Sequence, residues 1–332
     1  MNTIEMTDTL HIDTRLKRPS ISPESSLYPF FAHNFQRDET QSLQLFVQMV
    51  YDYRKNYGRL FPWQETKNPY KILLSEVMLQ QTQTERVLPK YTLFLSKWPT
   101  LHAFAQATPA EVLPEWKGLG YNRRCINLLK AMKLCDNEEG IKNDQAFLLS
   151  LPSVGKSTAA AVQSFAYGEK SIYLETNIRR VLIEFFYPVQ VQTGINDEHL
   201  QLKGSVQSYT VPEVHDKELT VLLQKLLVFV PDSKQWYYAL MDVGAQMKKE
   251  LPNANKRSKH YHTQSKFEGS ERQLRGQILQ CLIEQTQLST EDFLPLLPSS
   301  WTRAQIEKAL ITLHKDALVT YNKEKQHILP LQ

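Results

Sequence analysis

Apolar side chains recur every three to four residues along most of this chain, and alternation of apolar and polar positions is almost absent. That spacing predicts helices rather than strands. In LQLFVQMVYDYRKNYG, the residues Leu43, Phe46, Val47, Val50 and Tyr51 share one helical face and Gly58 closes the run. The same spacing predicts helices near 70–81, 85–96, 109–116, 121–135, 144–150, 156–167, 176–186, 216–230 and 234–247, so the main body is expected to be all-α. Residues 1–38 mix Thr, Ser, Pro and charge without a sustained period and read as a loosely ordered extension. Residues 187–216 break the rhythm with VQVQTG and SVQSYTVPEV. This stretch reads as a surface insertion, open between a β-hairpin and a mobile loop.

From residue 269 onward the pattern changes again. Helices near 272–284, 290–297 and 302–318 precede VTYNKEKQHILPL, two strand-like pieces around a polar turn. Three helices and a β-wing predict a winged-helix-like domain over 269–332, with Arg303, Gln305 and Lys308 on its candidate recognition helix. Such domains bind either DNA or a protein partner, and both remain open.

Composition sets limits on this outline. A chain of 332 residues predicts two or three domains, and a net charge of +4 permits a polyanionic partner without demanding one. Cys125, Cys135 and Cys281 are too few and too scattered for a disulfide framework. No apolar run approaches the length of a membrane span, and the N-terminus lacks the apolar core of a signal peptide. The expectation is a soluble, monomeric, cytoplasmic protein that makes no membrane contact and, in a bacterium, associates with the nucleoid.

Three stretches carry candidate chemistry. In LPSVGKSTAAAV, Pro152 and Gly155 bracket a turn, and Lys156, Ser157 and Thr158 open an Ala-rich helix. A turn that ends on a helix N-terminus presents free N–H groups to an anion, and Gly155 lets an oxygen approach the backbone. The plain alternative is an ordinary joint between two helices. In ILLSEVMLQQTQ, Glu76 shares a helical face with Ile72, Leu79, Gln80 and Gln83. If that face is buried, the charged form of Glu76 is disfavoured and the group suits a general acid; an exposed glutamate on an amphipathic helix is the alternative. Between Gln246 and Arg275 the chain turns basic, with Lys256, Arg257 and Lys259 among interleaved aromatics. That composition suits a surface following a phosphate backbone, or a solvated linker.

LPSVGKSTA resembles the helix-hairpin-helix motif of the endonuclease III superfamily of DNA glycosylases, and LETNIRRV resembles the segment that carries that superfamily's catalytic aspartate. WQETKNPYKILLSEVMLQQTQTERVLPKY and WKGLGYNRRCINL are similar to its adenine DNA glycosylase (MutY-like) branch. These blocks occur in the family's order and, with a weaker match to about Met247, span some 200 residues. The resemblance implies a two-lobed helix-hairpin-helix glycosylase fold over 39–268. The implied partner is double-stranded DNA carrying a mispaired or damaged base.

The roles implied by the resemblance follow residue by residue. Glu76 protonates the departing base, Glu175 stabilises the oxocarbenium-like sugar, and Asn177 orients the carboxylate or the sugar. Ser157 stands where strand-cutting relatives have a Schiff-base lysine, so base release without strand cleavage is expected. Gln80, Gln81 and Tyr121 match the wedge that fills the gap left by an extruded nucleotide. Ser153, Gly155 and Lys156 join them as DNA contacts. Trp63 and Gln64 fall at the expected base pocket.

This chain departs from the pattern in several places. Glu175 replaces the aspartate and is longer by one methylene, Asn122 replaces a tyrosine, Gln64 replaces an arginine, and Ser153 replaces the first glycine of the hairpin turn. YYALMDVGAQM leads in the family into four cysteines that hold an iron-sulfur cluster, but KKELPNANKRSKHYH follows here. With three cysteines in all, such a cluster is excluded, and neither cofactor nor metal is expected. Lys256, Arg257 and Lys259 are expected to replace it as a DNA contact. Two hypotheses remain open: a glycosylase releasing adenine, or thymine or uracil paired with guanine, and a catalytically silent DNA-binding protein.

Overall fold

The structure, a computed structural model, describes residues 16, 17, 19, 21–193, 207–263, 266–285, 288–322 and 327–330. Expectations for residues 1–15, for 194–206 of the insertion and for the polar turn at 323–326 lie outside the described residues. In chain order the elements begin with β1 (Leu16–Lys17), α1 (Tyr28–Phe31), α2 (Thr40–Tyr57), α3 (Pro62–Glu65), α4 (Pro69–Leu79), α5 (Thr84–Lys97), α6 (Leu101–Ala105) and α7 (Pro109–Trp116). Then come α8 (Arg123–Leu134), α9 (Gln145–Ser150), α10 (Lys156–Ala166), α11 (Thr176–Phe186), β2 (Val189–Thr193), β3 (Gln207–Thr210), α12 (Asp216–Leu227) and α13 (Ser233–Glu250). The C-terminal part holds α14 (Glu271–Glu284), β4 (Leu288–Ser289), α15 (Phe293–Leu296), α16 (Arg303–Lys315), β5 (Val319–Asn322) and β6 (His327–Pro330). The chain is mostly helical, and the longer helices match the predicted ones to within a few residues.

Among the described residues the chain forms two compact units. One takes the chain up to Leu60 together with Gly168–His262; the other takes Phe61–Tyr167 together with the chain from Thr263. In the first unit, α13 packs against α2 and α11. Asp242 on α13 is buried and accepts from Arg54 Nη1 at 2.6 Å and Arg59 Nε at 2.7 Å, which pins α2 and the chain after it to α13. An aromatic cluster of Phe30, Phe35, Phe46, Phe185 and Phe186 fills the space beside them. The loosely ordered extension expected to residue 38 is therefore corrected over part of its length: Leu27, Phe30 and Phe35 are core residues. Ordering them requires apolar partners from far along the chain, which local composition does not show. The insertion contributes antiparallel β2 and β3, with β1 pairing along β2.

In the second unit α4 packs against α5, α8 and α10, and its core includes Leu73, Val77, Val87, Phe94, Trp116, Leu128 and Val162. Local chemistry sets the helix starts. Asn68 accepts from the amides of Tyr70 and Lys71, with Pro69 as first residue of α4. Thr108 and Glu111 form a reciprocal capping pair on α7. In the C-terminal part, α14 packs against α15 and α16, and the strands form an antiparallel sheet in the order β4-β6-β5. The short β4 has no counterpart in the predicted pattern, because two residues are too few to show a period.

Candidate functional site

In the second unit, α4 is apolar nearly all round. Ile72, Leu73, Leu74, Val77 and Met78 are fully buried, and Glu76 among them is only 7% exposed. The exposed-glutamate alternative is thereby removed. Past Leu79 the chain leaves the helix, and Gln81 takes a positive φ of 56°. The orphan carbonyls at this helix end are met by Arg124, itself 8% exposed. Its Nη1 donates to the carbonyl oxygens of Val77 at 2.7 Å, Met78 at 3.1 Å and Gln80 at 2.5 Å. Its Nη2 donates to Thr82 Oγ1 at 3.0 Å and to the carbonyls of Leu119 and Gly120 at 3.1 Å each. Burial lowers the Arg124 pKa to about 10, so it stays charged at neutral pH, where a cation suits a helix C-terminus. Arg124 thus ties residues 80–82 to residues 119–121. Sequence reasoning missed it; the available signal was an arginine inside the apolar period of Cys125 and Leu128.

The hairpin turn lies between α9 and α10. Asp144 caps α9 by accepting from Phe147 N at 2.6 Å, and Ser153 has φ +68°. That position costs a non-glycine residue about 1 kcal/mol. Gly155 is the N-cap of α10, extended at φ −93°, and no side chain caps the helix. A Cβ built there meets nothing within 4 Å. Gly155, Lys156 and Ser157 are exposed, so the start of α10 lies at the surface, as an anion site requires. Gln80 Nε2 donates to Ser153 O and Thr158 Oγ1, both at 3.2 Å. Gln80, half-buried, therefore braces this turn. Gln81 and Tyr121 are exposed, and with Ser153 they account for three of the four positive-φ non-glycine residues among those described. Such strain concentrates where function holds it.

The expected base-pocket pair is also corrected. Trp63 is 1% exposed, stacked on Phe61 at 4.9 Å and edge-on to Tyr91 at 5.4 Å. Gln64 is buried, and its Oε1 accepts from Phe61 N at 3.2 Å to close the start of α3. Both are core and capping groups here, a role set by neighbours that the local sequence does not reveal.

In the first unit, Glu175 is the N-cap of α11. Its Oε1 accepts from the amides of Asn177 at 2.8 Å and Ile178 at 2.9 Å, and Asn177 Nδ2 lies 3.5 Å from Oε2. The extra methylene is accommodated by folding the side chain back over its own helix start. Burial raises the Glu175 pKa, against the pull of those two amides and of the Arg179 and Arg180 charges. Gly244 on α13 allows α11 to sit where it does, because a Cβ there would meet Asn177 O at 2.5 Å and Asn177 Cβ at 2.7 Å.

The segment after α13 folds against the start of α11. Arg180 donates to Gly244 O and Asn253 Oδ1 at 3.2 Å each, Asn255 Nδ2 donates to Thr176 O at 3.1 Å, and Val214 bridges to Ser258. This segment has no cysteine, so its residues do not fit the iron-sulfur cluster that the resemblance would bring. Lys256 and Lys259 are exposed. Arg257 is half-buried: its Nε and Nη2 lie buried, and burial lowers its pKa while the Glu184 charge raises it.

The candidate recognition helix α16 is also engaged internally. Arg303 pairs with Glu291 at 2.7 Å and Glu307 at 3.0 Å, Lys308 with Glu271 at 3.6 Å, and Gln305 completes a capping box with Thr302.

Residues 74–195 match the model of the HhH-GPD superfamily base excision DNA repair protein. The chain is 37% identical over 171 residues to the adenine DNA glycosylase of Buchnera aphidicola subsp. Baizongia pistaciae, covering 50% of this chain and 47% of that protein. It is 27% identical over 207 residues to the adenine DNA glycosylase of Buchnera aphidicola subsp. Schizaphis graminum, covering 61% of this chain and 54% of the relative, so the chain spans about half the length of these two relatives. It is 30% identical over 297 residues to the adenine DNA glycosylase of Mycobacterium tuberculosis, covering 84% of this chain and 91% of that one. Among solved structures, a thermostable thymine-DNA glycosylase aligns over 63% of this chain and 88% of its own, with 26% identity and a TM-score of 0.48. The long match to the mycobacterial relative, with the match of residues 74–195 to the superfamily model, places the chain in the adenine DNA glycosylase family of the HhH-GPD superfamily of base excision DNA repair proteins.

Proposed function

We propose that this protein is a monofunctional DNA N-glycosylase that releases a mispaired or damaged base, adenine foremost, from duplex DNA. Glu76 gives its proton to a ring nitrogen of the departing base as the C1′–N bond breaks. Glu175, as a carboxylate, faces the positive charge that develops on the sugar. Water then adds at C1′ and returns a proton, leaving an abasic site with the strand intact. The exposed start of α10 holds a backbone phosphate, and Tyr121 and Gln81 fill the gap in the stack. The observation that carries this reading is Glu76, only 7% exposed on α4 among the fully buried Ile72, Leu73, Leu74, Val77 and Met78.

Ser157 in the Schiff-base position supports base release without strand cleavage, since a hydroxyl forms no imine. The order helix, strand, two helices, two strands, with the sheet order β4-β6-β5, supports a winged-helix-like reading of 269–332.

The test is single-turnover incubation with duplexes carrying A opposite 8-oxoguanine, A opposite G, T opposite G and U opposite G, followed by alkali. The expected result is alkali-labile sites at adenine, no cleavage before alkali and no adduct with borohydride. Glu76→Gln should lower release by roughly a hundredfold or more. Release confined to T or U would move the substrate assignment, and no release from any duplex would leave the silent DNA-binding reading.

A further inference from the structure

The C-terminal helices meet the rest of the second unit at one functionally placed side chain. Arg272, on the first turn of α14, donates from Nη1 to Tyr121 Oη at 2.6 Å, and its guanidinium carbon lies 5.8 Å from the centroid of the Tyr121 ring. Arg124 lies 5.4 Å from the same centroid. The tyrosine ring is therefore in cation–π range of two guanidiniums, one from the first turn of α8 that follows it and one from a helix about 150 residues later. Its backbone is in the left-handed region at φ 49°, a conformation that a bulky residue keeps only when its surroundings impose it.

Those surroundings are built for the purpose. Asp316, at the end of α16, accepts from Arg275 of α14 and pairs with Arg123 at 3.1 Å, so an ion-pair bridge fixes α14 against the chain two residues after Tyr121. Ser270 starts α14 by accepting from Gln273 N at 3.3 Å, which sets the turn that carries Arg272. Around this contact lies a cavity of about 820 Å³, lined among others by Gln81, Tyr121, Arg123, Phe267 and Arg272. Tyr121 is 36% exposed, so its ring is held at a surface rather than sealed in the core.

We propose that Arg272 is a positioning residue for base extrusion: it holds Tyr121 in the conformation that enters the stack, so the C-terminal helices act on DNA distortion through the wedge. The inference rests on the reading of Tyr121 as that wedge. It gives the C-terminal part a task that does not require α16 to read bases, in keeping with the ion pairs that engage Arg303 and Lys308.

The test uses the full chain and the variants Arg272→Ala, Tyr121→Phe and the double variant. Hydrogen exchange of the 118–124 amides in the free protein reads the contact without any DNA, and it should speed up in Arg272→Ala. With 2-aminopurine at the target position, the rate of fluorescence rise at saturating protein should fall roughly ten- to a hundredfold in Arg272→Ala. Tyr121→Phe removes only the hydroxyl acceptor and should act in the same direction more weakly. The double variant should be no worse than Arg272→Ala, because both changes break one contact. Unchanged exchange, fully multiplicative losses, or a loss of affinity with unaltered extrusion at saturation would overturn the proposal; the last would make Arg272 a phosphate contact. A native protein that extrudes and releases no base in any duplex would sink the glycosylase reading instead, while the exchange result would still judge the contact.

Discussion

Helix α10 begins at Gly155, a cap residue with no side chain to accept from the first amides, whereas α11 begins at Glu175, whose own carboxylate accepts from two of them. Both helices are of 11 residues and present the same partial positive charge at their starts. One leaves that charge to an anion from outside; the other satisfies it from within and so fixes a carboxylate in place. The proposed phosphate site and the proposed catalytic carboxylate thus differ first in whether the cap residue has a side chain. The departure from aspartate to glutamate is absorbed at the second start, because a longer carboxylate still reaches its own N2 and N3 amides.

The sharpest way to break this comparison is to neutralise the internal anion. Glu175→Gln keeps an oxygen over the amides but removes the charge, so base release should fall by roughly 10²–10³-fold while the melting temperature rises. The rise follows from the raised pKa: the ionised carboxylate costs stability, and the cost is fully present above the folded pKa. As pH falls through that value towards the ordinary carboxylate range the cost disappears, so the stabilisation by Gln should fade in acid. By the same sign, native activity should fade on acidification at a higher pH than an ordinary carboxylate would allow. A pH series of single-turnover rates and thermal melts measures both, and a Glu175→Gln protein that is less stable at neutral pH would contradict the burial argument.

Next in size is Gly244→Ala. The added methyl group must displace Asn177 and with it the first turn of α11, so turnover should fall by about tenfold or more with DNA affinity little changed. The α10 start should respond in the opposite way. Gly155→Ala meets no protein atom and needs no unusual backbone angle, so stability should hold while affinity for duplex DNA drops several-fold; Lys156→Ala should reduce the salt slope by about one. Smallest is the paired change Lys256→Ala with Lys259→Ala, expected to weaken binding slightly and flatten its salt dependence. Arg257→Ala, a half-buried group, should instead lower the melting temperature with an unaltered salt slope.

The reach of the sequence differs between parts of the site. The burial of Glu76 on α4, the place of Glu175 at a helix start and the turn before α10 were legible because each sits in a contiguous motif whose helix period or turn chemistry is local. The positive φ needed at Ser153 was legible for the same reason, since it follows from the motif's glycine. Trp63 and Gln64, expected at the base pocket, are a core ring and a helix cap, while Gln80 braces the hairpin turn and Arg257 is half-buried. Arg124 was passed over although it fixes the loops of Gln80 and Tyr121. What these residues share is partners tens of residues away or a burial that only packing decides.

By itself, the sequence determined the longer helices and placed Glu76 and Glu175 within two of its motifs, because amphipathic period and turn chemistry act within one or two turns. Only the tertiary structure decided which polar side chains stay exposed and which are buried or hydrogen-bonded within the fold, because that depends on helices brought together from distant parts of the chain. The contact of Arg272 with Tyr121 is the plainest case: no local pattern links a residue in GLGY to the first turn of a helix about 150 positions later, and burial and hydrogen bonding join them only once both are packed in one unit.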